Sequence, residues 1–226
     1  MARSKGYKTV KEKAPTSVVS ASEAISFIKG NPRAKFDETV ELHIRLGVDP
    51  SKSDQAVRGS VVLPHGTPKQ KTIVVFTEDS AKQKAAEAAG AAQVGGQALI
   101  DQIASEGGLD ADVTIASPDM MPKVAKIAKI LGPKGLMPNP KTGTVTPNVE
   151  EAVKELVAGK LAFKMDQLGN IHESVAKLSW EAEKIQENLE ALVDAIRAAR
   201  PASQKGEFLS HAVLATTMGP AVRLSL

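Results

Sequence analysis

The sequence has no cysteine among its 226 residues, and aromatic residues make up only 3% of the chain. The lack of cysteine excludes disulfide bonds and thiolate metal sites, and it favours a reducing cytoplasm as the setting. The lack of aromatics excludes a sheet that stacks several bases, although one exposed Phe could still stack a single base. No apolar run approaches the roughly 18 residues of a membrane-spanning helix. The basic N-terminal segment is not followed by the apolar core of a signal peptide. We therefore expect a cytoplasmic protein without membrane association.

A strong charge of one sign is also absent, since the formal net charge is only +3. The first 13 residues depart from this balance, because they hold five of the 29 Lys and Arg residues and a single acid, Glu12. Such a tail is a mild indication of a polyanionic partner, but basic tails also serve solubility alone. The hydrophobic content of 42% is sufficient to fill the cores of one large or two ordinary domains.

Motifs for catalysis and cofactor binding are missing as well. The segment GLMPNPKT resembles a phosphate-binding loop, but Pro140 replaces its second glycine and Pro138 removes another backbone donor. The histidines stand singly, without the spacing of a zinc site. They are His43, His65, His172 and His211. We therefore expect neither an enzyme nor a cofactor.

Alternation of apolar and polar residues predicts strands in both terminal parts of the chain. The clearest case is TVELHIRLGV at 39–48, and segments 57–63, 161–165 and 222–226 keep the same period of two. We predict that they form one antiparallel sheet. A capping box of Ser20 and Glu23 predicts a helix that stops at GNP, and an apolar stripe predicts a second helix over roughly 181–199.

The middle of the chain has a different pattern, in which short apolar strands alternate with helices. Such alternation indicates a parallel, doubly wound sheet. The predicted fold class is therefore α+β combined with α/β. A split α+β domain with an antiparallel sheet comprises residues 1–66 and 160–226, and a Rossmann-like α/β domain, residues 67–159, is inserted into it. The connections LPHGTPK and VAGK carry the glycine and proline of exposed linkers, and two adjacent linkers permit hinge motion.

Two short segments have compositions that packing alone does not explain. AKFDE places Lys35 and Phe36 directly before the first strand, and TTMGP occupies 216–220 between two C-terminal strands. TTMGP is typical of a tight turn in which Gly219 is free to take a positive φ and Pro220 fixes the exit. Its hydroxyls, thioether and glycine would equally suit the ribose edge of a shallow RNA groove. Both interpretations stay open on these residues alone.

The loop GPKGLMPNPKTGTVTPNV at 132–149 is stiff, because proline fixes φ, and it carries lysines but no acid. It is suited either to face RNA or the partner domain, or to lock the fold of the second domain.

Four segments together resemble the ribosomal protein one family of the bacterial large subunit, which forms the mobile stalk beside the tRNA exit site. They are AKFDETVELHIRLGVDPSKSDQAVRGSVVLPHGTPK, KVAKIAKILGPKGLMPNPKTGTVTPNV, GKLAFKMDQLGNIH and TTMGPAVRLSL. The resemblance implies two domains joined by a hinge, a structural role in the large subunit and binding to large-subunit rRNA. It also implies assistance in releasing exit-site tRNA, repression of the protein's own messenger RNA, and a monomer off the ribosome.

The resemblance also implies which residues contact RNA. Lys35, Phe36, Thr217, Met218 and Gly219 match central contact positions of the family.

Lys164, beside Phe163 on a strand of the predicted antiparallel sheet, could reach a phosphate or remain a solvated lysine. His211 departs from the family, which more often has serine there, and this puts a hydroxyl contact at that position in doubt. A small-molecule-binding two-domain α/β protein with a cleft between its domains is the alternative.

Overall fold

A computed structural model describes residues 5–69 and 71–225. Arg3 of the basic N-terminal segment and the last residue of the predicted strand at 222–226 lie outside these ranges. The chain divides into two compact units, Met1–Pro68 with Leu161–Leu226, and Lys69–Lys160. The helices are α1 (Lys5–Lys13), α2 (Ala21–Gly30), α3 (Ser80–Ala88), α4 (Gln97–Glu106), α5 (Met121–Val124), α6 (Ala128–Leu131), α7 (Val149–Ala158) and α8 (Ala182–Ala198). The strands are β1 (Thr39–Leu46), β2 (Arg58–Val62), β3 (Ile73–Phe76), β4 (Gln93–Gly95), β5 (Val113–Ala116), β6 (Lys160–Lys164), β7 (Asn170–Lys177), β8 (Leu209–Thr216) and β9 (Val222–Leu224).

The split unit is built on a four-stranded antiparallel sheet in the order β7-β1-β8-β9. The apolar residues of β1 are buried, as its alternation predicts, and they belong to one core with apolar residues of α2 and α8. The predicted capping box of α2 is present, with Ser20 and Glu23 each accepting from the other's backbone N–H. The polar residues of β1 point to the other face of the sheet.

The prediction of one antiparallel sheet is wrong in its pairing. β2 and β6 form a separate two-stranded sheet, and only β1 and β9 of the predicted strands lie in the four-stranded one. A period of two fixes which residues share a face but leaves the partner strand undetermined. Contact between Gly59 and the ring of Phe163 belongs to the two-stranded sheet, where a Cβ on Gly59 would lie 2.7 Å from the ring.

The pattern also fails to predict β7, although this strand is a direct neighbour of β1. Its sequence, NIHESVAK, is too polar to show a clear alternation. The register of the β1–β7 pair also shifts between Val40 and Glu41.

The other unit contains a three-stranded parallel sheet in the order β4-β3-β5. Apolar residues of α3 and α7 pack with one face of this sheet, and those of α4, α5 and α6 pack with the other. The predicted α/β arrangement is thereby confirmed. A 3-10 turn at Ala125–Ile127 separates α5 from α6. Among the described residues, no helix combines the length and the apolar character needed to cross a membrane.

Candidate RNA interface

The two segments singled out in the sequence meet where β1 begins and β8 ends. Lys35 and Phe36 lie in the loop before β1, and the turn that contains Met218 joins β8 to β9. The ladder pairs Val40 with Thr216, so the next residues outward on the two strands face each other. Thr217 N–H donates to the Thr39 carbonyl at 3.1 Å, and Thr39 N–H donates to the Thr217 hydroxyl at 3.1 Å. Antiparallel pairing therefore places the loop and the turn side by side.

Glu38 forms hydrogen bonds to both of these segments. Its Oε1 accepts from the N–H groups of Arg33 and Ala34 at 2.8 and 2.7 Å, and its Oε2 accepts from Met218 N–H at 3.2 Å. Burial alone raises the pKa of Glu38, but hydrogen bonds from the Thr216 side chain and from these three N–H groups together hold that pKa below its ordinary value. The carboxylate is thus ionised inside the protein.

Arg33 adds a further connection between loop and turn. Its guanidinium donates to the Met218 carbonyl at 3.2 Å and lies 5.3 Å from the ring centroid of Tyr7. Tyr7 belongs to α1, whose lysines are all exposed. The basic helix is thereby linked to the loop that carries Lys35.

The side chains that project from this scaffold are open to solvent. Phe36 is 58% exposed and Met218 is 54% exposed, and Lys35 is exposed as well. An aromatic ring, a thioether and a cation therefore project from a backbone that is fixed by hydrogen bonds.

The need for glycine at 219 has a different origin from the expected one. Gly219 is absent from the glycines with positive φ, so the turn does not use the left-handed conformation that glycine makes available. A Cβ on Gly219 would instead lie 2.3 Å from the Thr216 hydroxyl oxygen. Close approach of the turn to Thr216, which bonds Glu38, is what requires glycine.

Lys164 lies apart from this arrangement. It is exposed on β6, in the two-stranded sheet, and not in the four-stranded sheet whose strand ends carry the other candidates. The prediction that it shares their sheet is wrong, for the pairing reason given above.

The polar face of the four-stranded sheet holds a pair of histidines that the sequence left as isolated residues. Nδ1 of His43 lies 2.9 Å from Nδ1 of His172, and Glu41 and Asp166 lie 3.7 and 3.5 Å from the respective Nε2 atoms. Burial lowers the pKa of His43 and His172 lowers it further, while Glu41 raises it. The pairing follows from the register of β1 with β7, a strand that the pattern did not predict.

His211 is exposed opposite Arg45 on the same sheet. Within residues 5–69 and 71–225, no group of three or more His, Asp or Glu residues has metal-binding geometry.

The proline-rich loop is anchored in the α/β unit. Leu136 and Pro138 are buried, and the Leu136 carbonyl accepts a hydrogen bond from the Thr114 hydroxyl. Asn139 N–H donates to the Thr144 hydroxyl at 2.8 Å. These contacts support the interpretation that the loop locks the fold of its own unit.

The molecule is thus a mixed α/β protein in which one compact unit interrupts another, with an open, partly basic surface at the strand ends of the split unit. The family model described as "Ribosomal protein L1p/L10e family" matches residues 26–220. The chain belongs to this family, which confirms the resemblance drawn from the four segments. As a member it is a ribosomal protein, a component of a ribonucleoprotein whose partners are the ribosome and rRNA.

Proposed function

We propose that the protein is a non-enzymatic constituent of the large ribosomal subunit that binds large-subunit rRNA at the mobile stalk through Lys35, Phe36, Thr217, Met218 and Gly219. The observation that carries the proposal is the hydrogen-bonded junction of two segments distant in sequence, closed by Thr39 with Thr217 and by Glu38 with Met218. Membership of a ribosomal protein family supplies the class of ligand.

The chemistry of the exposed groups suits an RNA surface. Phe36 offers a face on which one unpaired base or ribose packs, a contact worth about 1–3 kcal/mol for a stacked base. Lys35 is exposed and suited to meet a phosphate, and the exposed thioether of Met218 beside Gly219 is suited to contact a shallow groove. The exposed lysines of α1 add attraction for the phosphate backbone that does not depend on sequence. We assign Lys164 a separate phosphate contact, on the two-stranded sheet.

The wider role follows from the family resemblance. We propose that the protein acts in the cytoplasm on the ribosome, assists release of deacylated tRNA from the exit site and represses translation of its own operon messenger. A messenger that presents the same RNA shape would occupy the same surface, so protein left over once the rRNA sites are filled would repress its own synthesis. We also propose that residues 1–66 with 160–226 and residues 67–159 fold as separate, hinged domains, with the protein monomeric off the ribosome.

A gel-shift titration against a stalk-helix RNA, with a scrambled hairpin of equal length as control, tests the proposal. The logarithm of the binding constant should fall linearly with the logarithm of salt concentration, by roughly 0.7–0.9 for each phosphate neutralised. Lys35→Ala should reduce that slope by about one such increment. Equal affinity for the two RNAs, or binding insensitive to salt, would refute the proposed interface.

A further inference from the structure

Glu38 is a charged residue with almost no access to solvent. Only 1% of its surface is exposed, although it lies next to the exposed residues of the candidate interface. Glutamate is rarely buried in this way unless its carboxylate is fully paired. A side chain so enclosed cannot itself contact RNA, so its role must be exerted through its neighbours.

The two carboxylate oxygens of Glu38 serve different segments. Oε1 receives the N–H groups of Arg33 and Ala34, which open the loop that carries Lys35 and Phe36. Oε2 receives the N–H group of Met218, in the turn between β8 and β9. One carboxylate therefore joins the loop to the turn. Glu38 and Met218 are 180 residues apart in the chain.

We propose that Glu38 is a positioning residue for RNA binding, which fixes the backbone beneath Phe36 and Met218 before the RNA arrives. The proposal rests on the RNA-binding function proposed above. Ordering a loop on association costs free energy for every side chain that becomes immobilised, and a loop already held in place avoids that cost. The hydrogen bond from the Arg33 guanidinium to the Met218 carbonyl supplements the link made by the carboxylate.

A role confined to overall stability is the competing explanation, and a double-mutant cycle separates the two. Glu38→Gln keeps the shape, but its amide nitrogen cannot accept the hydrogen bonds that one carboxylate oxygen accepts. We expect stalk-RNA affinity to fall about tenfold in this variant. The salt dependence should keep the wild-type slope, because no phosphate contact is removed.

In a Phe36→Ala/Met218→Ala background, Glu38→Gln should weaken binding by less than about twofold, since the side chains that Glu38 positions are absent.

Glu41→Gln is the matched control, because it makes the same chemical change three residues further along the chain. Glu41 lies near His43 and not at the loop or the turn, so this variant should bind RNA within about twofold of wild type. If Glu38→Gln does not fold, Glu38→Asp replaces it in the same cycle, because its shorter side chain keeps the charge but cannot reach both segments.

Wild-type affinity for Glu38→Gln would overturn the proposal. So would a loss that is equally large in the double-alanine background, because the effect would then not pass through Phe36 and Met218. Amide hydrogen exchange on the free protein distinguishes this failure from failure of the RNA-binding function. Faster exchange in Glu38→Gln at Arg33, Ala34 and Met218, with unchanged exchange in the middle of β1, shows that Glu38 orders the two segments. Unchanged exchange at those three amides would overturn the positioning role whether or not the wild type prefers stalk RNA to the scrambled hairpin.

Discussion

The side chain of Thr217 and the backbone of Thr39 exchange two hydrogen bonds. Thr39 N–H donates to the Thr217 hydroxyl at 3.1 Å, and that hydroxyl is 3.4 Å from the Thr39 carbonyl that it can donate to. The first exposed residue of the turn thus continues the β1–β8 ladder by means of its side chain. A hydroxyl offers two acceptor sites and one donor, so one acceptor site remains for RNA.

Thr217→Val should therefore reduce stability as well as RNA affinity. The valine removes the acceptor of Thr39 N–H in an exposed hydrogen bond, at a cost of about 0.5–1.5 kcal/mol or roughly 1–6 °C in the thermal midpoint. Thr217→Ser keeps the hydroxyl and should stay within about 0.5 kcal/mol of wild type. Thermal unfolding followed by circular dichroism measures both variants. Equal midpoints for valine and serine would mean that the hydrogen bonds to Thr39 contribute nothing.

Gly219→Ala should weaken RNA binding by about tenfold or more. Its methyl group would enter the space of the Thr216 hydroxyl and displace a partner of the Glu38 carboxylate. Gly30→Ala is the matched control, because a Cβ at Gly30 has nothing within 4 Å. Gel-shift titrations of both variants decide the matter, and retained affinity in Gly219→Ala would show that the turn tolerates a side chain.

Phe36→Ala should lose RNA affinity while keeping the thermal midpoint of the wild type. The ring is 58% exposed, so its removal leaves little cavity, but a lost stacking contact costs about 1–3 kcal/mol of binding. Leu168→Ala removes a similarly exposed apolar side chain, 70% accessible, in the turn before β7. The control should bind stalk RNA as wild type does. Matching losses in the two variants would contradict a specific role for Phe36.

Asn188→Leu should destabilise the split unit without a direct effect on the RNA surface. Asn188 is fully buried on α8, where it accepts from His65 N–H at 3.1 Å and donates to the Gly66 and Val175 carbonyls at 3.2 and 3.0 Å. Leucine matches its size but removes three hydrogen bonds to backbone groups, which predicts a loss of about 2–4 kcal/mol. Urea unfolding measures this loss, with Gln186→Leu at a partly exposed position of α8 as the control. A loss below about 1 kcal/mol would show that solvent replaces those bonds.

The contribution of Glu38 to stability should depend on pH in one direction. A carboxyl group whose pKa is lower in the folded than in the unfolded state stabilises the fold fully above its unfolded pKa. That contribution disappears as the pH falls through the folded pKa, which hydrogen bonds hold below the ordinary carboxyl value. The difference in thermal midpoint between wild type and Glu38→Gln should therefore be largest near pH 7 and shrink below about pH 4. A difference that stays constant from pH 7 to pH 3 would contradict the ionised assignment.

Local sequence patterns predicted a large part of the fold. The alternation in β1 predicted its buried and polar faces, and the capping box at Ser20 and Glu23 predicted the start of α2, because both depend on residues that are near in sequence. Strands alternating with helices in the middle of the chain likewise predicted the parallel sheet of the inserted unit. The segments that hold Lys35, Phe36 and Thr217 to Gly219 stood out by their composition, but only the resemblance of whole segments implied that these residues contact RNA.

The sequence by itself determined which faces of the strands are buried, where helices are capped and which segments resemble the family. Each of these depends only on residues that are close together in the chain. Only the tertiary structure decided which strands pair, and with them the His43–His172 contact, the separate sheet of Lys164 and the place of Glu38 between loop and turn. Glu38 illustrates the physical reason. A glutamate before a strand looks like any solvated residue, and its burial is stabilised by N–H donors that come within reach only when the two ends of the chain fold onto one sheet.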